Sequence, residues 1–188
     1  DIPPRCYRCR KTSFNSRTCQ ACRKASRLHT VQVVTDYEGA AQQLVWQMKF
    51  KGAKAATGLI ADCMLHELKM LAEPGLVLMP VPTATARTRQ RGFDQAKLIT
   101  RHLSKYSSLP CLDLMRREGQ TQQVGASRLQ RRRQLEKAFW IVSPGLVRGQ
   151  HIILIDDVLT TGATLEAAAR CIRAAGAKRV DAIVFAQT

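Results

Sequence analysis

One segment near the C-terminus constrains the fold of this chain more than any other. Four consecutive apolar residues, 152–155, are followed by Asp156 and Asp157 and then by a threonine-rich stretch, 160–164. A continuous apolar run of this length predicts a strand buried on both faces, which is typical of a parallel sheet. Two adjacent carboxylates at its C-terminal end repel each other and are costly to bury unless they bind something. The segment therefore predicts a ligand site at the edge where open α/β sheets bind ligands.

The threonine-rich stretch completes a pattern suited to a sugar phosphate. The stretch consists of Thr160, Thr161, Gly162, Ala163 and Thr164. It leads into a predicted helix over 165–175 that ends at Gly176. A helix N-terminus offers unpaired amides and a positive dipole end to a phosphate, and the two carboxylates suit the hydroxyls of a ribose. The chain has neither a Walker loop nor a G-x-G-x-x-G fingerprint. The alternative is a capped helix after a strand, with two solvated aspartates.

The remaining pattern predicts an α/β domain. Apolar periodicity indicates strands over 31–34, 76–79, 111–115, 139–142, 152–155 and 180–185, and helices over 37–50, 54–71, 93–106, 129–138 and 165–175. Pro80-Val81-Pro82 is expected to end the strand ladder, and the polar stretch 116–127 is expected to be a mobile loop. Alternating elements of this kind predict a mostly parallel sheet with helices on both faces.

Four of the seven cysteines fall within 1–22, as two C-x2-C pairs: Cys6 with Cys9, and Cys19 with Cys22. Two such pairs supply the four soft ligands of a tetrahedral structural zinc site. The alternative is a pair of disulfides in a secreted protein. Cys63, Cys111 and Cys171 argue against it, because each stands alone in an apolar stretch, as buried thiols do. We therefore expect a small four-cysteine zinc-binding module over 1–28 and a larger domain over 29–188.

The charge balance predicts a polyanionic partner or substrate. Thirty Lys and Arg against fourteen Asp and Glu give a net charge of +16. Eight of the basic residues lie within 1–27, where they indicate either a nucleic-acid contact or a solvated surface. No apolar run is long enough to cross a membrane, and no secretion signal is visible, so we expect a cytoplasmic protein.

The segment 156–164 resembles the phosphoribosyl pyrophosphate (PRPP) motif of type I phosphoribosyltransferases. Further stretches resemble the ComF family, also called GntX-like: Pro80-Val81-Pro82, the run from Arg87 through Arg89 and Arg91 to Gly92-Phe93, the stretch 123–128, and the two cysteine pairs. Asp94 stands where that family usually has Asn. The resemblance covers nearly the whole chain, and it implies a type I phosphoribosyltransferase-like domain preceded by a zinc module.

The resemblance also implies roles for individual residues. Asp156 and Asp157 would hold the ribose hydroxyls, partly through Mg²⁺, and residues 160–164 would hold the 5-phosphate. Arg87, Arg89 and Arg91 would face the pyrophosphate, since guanidinium groups match phosphate oxygens, although they also fit a solvated loop. The stretch 116–127 would be a lid.

Two functions follow. In the first, as the family implies, the protein binds PRPP or a related ribose phosphate and single-stranded DNA. It would be an accessory of natural transformation (competence) or DNA utilisation, working with DNA-import machinery at the inner face of the membrane. In the second it is a PRPP-dependent phosphoribosyltransferase of nucleotide metabolism with an unknown acceptor. A further basic cluster would contact DNA or form a solvated helix face: Arg128, Arg131, Arg132 and Arg133. Phe93, Tyr106 and Trp140 are the aromatics expected to assist single-strand binding.

Overall fold

The computed structural model describes residues 3–71, 73–118, 134–135 and 137–188. Four of its strands form a parallel sheet in the spatial order β1-β6-β5-β2, and β3 and β4 form a separate antiparallel pair. The strands are β1 (Val31–Asp36), β2 (Leu76–Pro80), β3 (Met115–Arg117), β4 (Phe139–Ile141), β5 (His151–Leu159) and β6 (Arg179–Gln187).

Helices cover both faces of this sheet, as the sequence predicts. They are α1 (Gln20–Arg23), α2 (Gly39–Phe50), α3 (Ala55–Leu71), α4 (Thr85–Arg91), α5 (Gln95–Ser107) and α6 (Ala163–Ala174). One apolar cluster joins the sheet to α2, α3 and α5, with Met64, Ile99 and Ile153 fully buried. A second cluster joins the opposite face to α6. Among the described helices, none combines the length and apolar character needed to cross a bilayer.

The unequal lengths of β2 and β5 create the space for a site. β2 ends at Pro80, which pairs with Ile155, and the N–H of Val81 then donates to the carbonyl of Ile155. β5 continues along β6 as far as Leu159, opposite Gln187. Asp156 and Asp157 therefore lie within β5 itself, at the point where its neighbour on one side has stopped. The sequence places them after a strand over 152–155; the strand is longer because the β6 pairing continues past the apolar run.

Two local expectations are wrong, and one helix is not predicted. The predicted strand over 111–115 is reduced to one bridge between Leu78 and Cys111, and the nearby strand is β3, paired with β4. The segment with Arg87, Arg89 and Arg91, for which the sequence predicts neither a helix nor a strand, is the helix α4. Pro80 lies inside β2 rather than beyond its end, because Pro80 can still pair as the last residue of the strand. The predicted mobile loop and basic helix lie outside the described residues, apart from 116–118, 134–135 and 137–138.

The N-terminal segment folds against the larger domain. Two isolated β-bridges form in this segment, one between Arg5 and Thr12 and one between Arg17 and Thr30. The helix α1 lies in the chain between Arg17 and Thr30. The N–H of His29 donates to the carbonyl of Val180 in β6. Tyr7 and Leu28 are buried in the same apolar cluster as α6. Packing on the sheet therefore adds to whatever stability a bound metal supplies to this short segment.

The seven cysteines are all free, so the disulfide alternative finds no support. Cys63 is exposed, however, and Cys111 and Cys171 are only half-buried. The expectation that these three are buried thiols is therefore wrong for Cys63, which lies on the solvent face of α3.

Candidate functional site

A cleft of about 710 Å³ opens at the carboxyl ends of β2 and β5. It is lined by both acids of the pair, by residues of the threonine-rich loop and by residues of α4. The residues that matter below are Lys49, Arg87, Arg91, Gln95, Arg117, Asp156, Asp157, Thr160 and Thr164. Elements far apart in the chain thus converge on the edge of the sheet where the sequence predicts a ligand site.

The charge of Asp157 is balanced within the protein. Its side chain is buried, and its Oδ2 atom accepts a hydrogen bond from Gln95 Nε2 at 3.1 Å. Lys49 Nζ lies 3.0 Å from the same oxygen, and only 22% of the Lys49 side chain is exposed. Burying a carboxylate is costly unless it is paired and hydrogen-bonded, and these two contacts supply both. Asp157 is therefore held in a fixed orientation before any ligand enters.

Asp156 is in a different electrostatic state. Burial, followed by the neighbouring charge of Asp157, raises the pKa of Asp156 to about 8. Its Oδ1 atom accepts the N–H of Asp157 at 2.9 Å. A carboxyl group in this state has spare hydrogen-bonding capacity toward the cleft. A ligand hydroxyl or cation that contacts the pair would relieve their mutual repulsion.

The loop 160–164 borders the cleft next to the acids. Thr160 and Thr164 line it, whereas the side chains of Thr161 and Ala163 do not. Gly162 is the N-cap of α6 and has φ +74°, a conformation that favours glycine. Its carbonyl accepts the N–H of Glu166 at 2.9 Å, which begins the helix. The helix α6 therefore begins next to the cleft, and the amides of a first helical turn are the groups that bind phosphate at helix N-termini.

The three arginines of α4 are not equivalent. Arg87 and Arg91 line the cleft, whereas Arg89 does not. Arg91 Nε donates to the carbonyl of Lys49 at 3.0 Å, and its guanidinium also donates to Gln95. Burial lowers the pKa of Arg91, while Asp157 opposes that shift. Arg91 therefore links α4 to the end of α2 and, through Gln95, to Asp157.

Lys49, Gln95 and Arg117 line this cleft although the sequence predicts none of them for it, and Arg117 belongs to the arginine-rich stretch expected to neutralise a phosphate backbone. Arg117 lies on β3, stacks over the Phe139 ring at 5.3 Å, and has a buried Nε atom with no partner among the described residues. Burial lowers the pKa of its guanidinium. Nothing in the local pattern marks these residues, because they reach the cleft only through tertiary packing.

Asp94 has a structural role at the rim. Its carboxylate caps α5 by accepting the N–H of Lys97 at 3.2 Å, and it accepts the N–H of Thr83 at 3.0 Å. One side chain therefore fixes both the start of α5 and the segment after β2. Asparagine, the residue usual in the family at this position, can accept with one oxygen where the carboxylate of Asp94 accepts with two.

The four N-terminal cysteines converge on one point. Their sulfur atoms all lie within 4.8 Å of one another, and those of Cys9 and Cys19 are 3.6 Å apart. Although burial raises the pKa of Cys6, hydrogen bonds from the backbone of Cys19, Cys9 and Arg8 lower it to about 7. Sulfurs at these separations, with one thiol poised to ionise, fit a single tetrahedral metal ion. The predicted DNA-contacting residues Arg128, Arg131, Arg132 and Arg133 lie outside the described residues.

Comparison with known proteins agrees with this architecture. Residues 89–188 match the family model described as "Phosphoribosyl transferase domain". The competence protein ComFC of Bacillus subtilis is 31% identical over 176 residues, which cover 91% of this chain and 71% of that protein. The DNA utilization protein YhgH of Escherichia coli K12 is 32% identical over 165 residues, or 82% of this chain and 70% of that protein.

The chain belongs to the ComF family. Among solved structures, the adenine phosphoribosyltransferase of Leishmania tarentolae aligns with 82% of this ComF-family chain and 91% of its own, at 13% identity and a TM-score of 0.47. The family assignment depends on the sequence relatives and on the matched domain.

Proposed function

We propose that this ComF-family protein binds PRPP, or a related ribose phosphate, in the cleft beside β5 and single-stranded DNA on the adjoining surface. One observation carries the proposal: the acid pair and the loop 160–164 share a cleft with half-buried cationic side chains. The names of the relatives, a competence protein and a DNA utilization protein, support a role as an accessory of DNA uptake or use. Such a role would place the protein in the cytoplasm, at the inner face of the membrane.

Each part of the cleft suits one part of PRPP. Asp156 and Asp157 would accept the ribose hydroxyls, and the amides after Gly162 would hold the 5-phosphate. Arg87, Arg91 and Arg117 line the cleft and would contact the pyrophosphate, since guanidinium groups match phosphate oxygens. Mg²⁺ prefers oxygen ligands, so Asp156 and Asp157 fit a Mg²⁺ ion that would neutralise the pyrophosphate. Zn²⁺ in the four-cysteine site would have a structural role, fixing the fold of residues 6–22.

The cleft is tested by isothermal titration of PRPP with Mg²⁺ into the wild-type protein and into Thr164→Val. Valine matches threonine in shape but removes a hydroxyl that lines the cleft, so we expect roughly tenfold weaker binding, the effect of losing a hydrogen bond to a charged group. Thr35→Val, in β1, is the matched control and should bind as the wild type does. Absence of PRPP binding by the wild-type protein would contradict the proposal.

An exposed aromatic pair beside the cleft supports the nucleic-acid part of the proposal. Trp46 and Phe50 of α2 are 46% and 69% exposed, and their ring centroids are 6.2 Å apart. Lys51 Nζ lies 5.3 Å from the Trp46 ring, and Phe50 also lines the cleft. Residues 39–61 contain three lysines and no acid. Exposed rings flanked by cations fit the stacked bases and phosphates of a single strand.

Of the three aromatics expected from the sequence, Phe93 is only 8% exposed, so it does not offer a face for stacking, whereas Trp140 is 46% exposed. Tyr106 is 60% exposed at the far end of α5, with Lys105 Nζ 5.4 Å from its ring. It therefore provides a matched control: an exposed ring with its own lysine, at the opposite end of a helix that starts at the cleft.

The test measures binding of an unrelated single-stranded DNA at increasing salt. We expect affinity to fall linearly with salt on logarithmic axes, and Trp46→Ala with Phe50→Ala to weaken binding by roughly tenfold or more. Tyr106→Ala should have no such effect. Equal losses in the two variants, or binding that ignores salt, would contradict this surface. Loss of self-association in the double variant, with DNA binding unchanged, would assign the pair to a dimer contact instead.

The intact acid pair and loop also favour a second function, phosphoribosyl transfer. In that reaction the bond from ribose C1 to the pyrophosphate oxygen breaks, pyrophosphate leaves, and an acceptor forms the new bond to C1. Release of pyrophosphate from PRPP that depends on an added acceptor or DNA would support the transferase. Binding of PRPP without release would support a binding or regulatory site.

A further inference from the structure

Glu166 connects the cysteine-rich segment to the loop proposed to hold phosphate. It lies in the first turn of α6 and is only 7% exposed. Its carboxylate accepts hydrogen bonds from the Tyr7 hydroxyl, from Arg8 NH1 at 2.9 Å and from the Arg27 backbone N–H at 3.2 Å. All three donors come from the segment before Leu28. The N-terminal segment therefore supplies each of these hydrogen bonds to the buried carboxylate of α6.

The Tyr7 ring also contacts the loop itself. A Cβ atom placed on Gly162 would lie 3.0 Å from Tyr7 Cε2 and 3.4 Å from Cδ2. Those distances are tighter than ordinary Cβ contacts, so the Tyr7 ring lies directly over the face of Gly162 from which a side chain would project. Position 162 therefore favours glycine for two independent reasons, its positive φ and the closeness of Tyr7.

Residues that neighbour both cysteine pairs in the chain take part in this packing. Tyr7 and Arg8 are the two residues between Cys6 and Cys9, so an ion bound to those sulfurs would fix the backbone that carries them. Ser26 and Arg27 follow closely after Cys22, and the Tyr7 hydroxyl lies 2.9 Å from Ser26 Oγ. Tyr7 and its neighbours thus link the metal site directly to the loop 160–164.

We infer that the four-cysteine metal site holds the phosphate loop in its binding conformation, with Tyr7 and Glu166 as positioning residues. The inference rests on the proposed function for the identity of the ligand, a ribose 5-phosphate group. Because coupling between two sites is reciprocal, the metal and the sugar phosphate strengthen each other's binding by the same factor.

The first test is hydrogen exchange at the amides of residues 160–166, measured with the Zn²⁺-loaded protein and after removal of Zn²⁺. We expect faster exchange at these amides when the metal is removed, while the amides of β2 remain protected. Unchanged exchange over 160–166 would overturn the inference. This readout needs no sugar phosphate, so it is independent of the proposed function.

The second test is titration of ribose 5-phosphate into the same two forms, with the affinity for Zn²⁺ measured by chelator competition with and without the sugar phosphate. We expect both affinities to change by the same factor, about tenfold, which is ordinary for coupled sites. Failure of the Zn²⁺-loaded protein to bind ribose 5-phosphate, with the exchange effect present, would overturn the proposed function and leave the metal-to-loop contact standing. Equal affinities in both forms would overturn the coupling.

A variant separates positioning from simple loss of the metal. Tyr7→Ala keeps all four cysteines and should still bind one Zn²⁺, but it should show faster exchange over 160–166 and weaker binding of ribose 5-phosphate. Tyr7→Phe keeps the ring against Gly162 and should restore most of the affinity. Lys11→Ala, an exposed residue of the same segment, is the control and should behave as the wild type. A Tyr7→Ala variant with normal exchange and affinity would contradict the role of Tyr7.

Discussion

Lys49 Nζ lies 3.0 Å from Asp157 Oδ2, so the less exposed acid of the pair is neutralised from within the protein by the end of α2. Its neighbour Asp156 has no equivalent lysine contact among the described residues and has a raised pKa. The two acids thus enter the proposed ligand complex in different states. Asp157 is fixed in place, and Asp156 is free to respond to the ligand.

Replacement of Lys49 by methionine should destabilise the protein. The change leaves Asp157 with Gln95 as its nearest described partner, and breaking a fully buried pair costs about 3–5 kcal/mol. Because Lys49 is partly exposed, we expect a loss of about 2 kcal/mol in the free energy of unfolding, measured by urea denaturation. Lys51→Met, two positions away on the surface, is the control and should stay within about 0.5 kcal/mol of the wild type. Equal effects of the two variants would contradict the importance of the Asp157 contact.

Replacement of Asp156 by asparagine should separate stability from ligand binding. The substitution removes the repulsion between adjacent acids while it keeps the shape of the side chain, so the melting temperature without ligand should stay the same or rise. The increase in melting temperature that PRPP and Mg²⁺ give the wild-type protein should disappear. A variant that is still stabilised by the ligand would show that Asp156 does not contact it.

Replacement of Asp94 by alanine should cost about 1 kcal/mol of stability, because α5 loses its N-cap and Thr83 loses its acceptor. Asp94→Asn should recover only part of that loss, since its one amide oxygen can still accept the N–H of Lys97 while the N–H of Thr83 loses its acceptor. Thermal unfolding of the two variants measures the difference. Equal melting temperatures of the alanine and asparagine variants would contradict the role of Asp94 as the N-cap of α5.

The sequence was most informative where one contiguous segment carries the signal. The strand, acid pair, threonine-rich loop and helix over 152–175 are local features, and the structure has each of them in that order. The helix α4 was missed because its residues include no buried side chain and so show no apolar periodicity. Lys49, Gln95 and Arg117 reach the cleft from α2, α5 and β3, which are distant from β5 in the chain, and no local pattern encodes that convergence.

The closeness of Tyr7 to Gly162 could not be predicted from the sequence for the same reason. The cysteine spacing predicts the metal site and the glycine predicts a turn, but their closeness depends on how the N-terminal segment docks on α6. Likewise, the strand expected over 111–115 contains apolar residues that pack on the core from an irregular segment, with only Leu78 and Cys111 forming a bridge.

Asp181, at the opposite end of the sheet, should govern stability in acid. It is fully buried and accepts from Thr30 N at 2.8 Å, His151 Nε2 at 2.6 Å and Arg179 NH2 at 2.8 Å. Burial raises its pKa, but the hydrogen bond from His151 and the charge of Arg179 outweigh that effect and lower the pKa below its ordinary value of 3.8. The stabilisation is therefore present above pH 3.8 and is lost as the pH falls through the lower pKa of the folded protein.

Asp181→Asn tests this by denaturation at several pH values. At neutral pH the variant should be less stable, and its stability should decline less steeply than that of the wild type below about pH 4. Asp62→Asn, whose side chain is 58% exposed beside His102, is the control and should keep the steep decline. Parallel curves for wild type and Asp181→Asn would contradict the assignment.

The most direct test of the central claim is a crystal structure of the protein grown with PRPP and Mg²⁺. The account predicts the 5-phosphate within about 3 Å of the backbone N–H groups of residues 161–164, with the ribose hydroxyls against Asp156 and Asp157. A ligand bound elsewhere with this loop empty, or no bound ligand at saturating concentration, would contradict it.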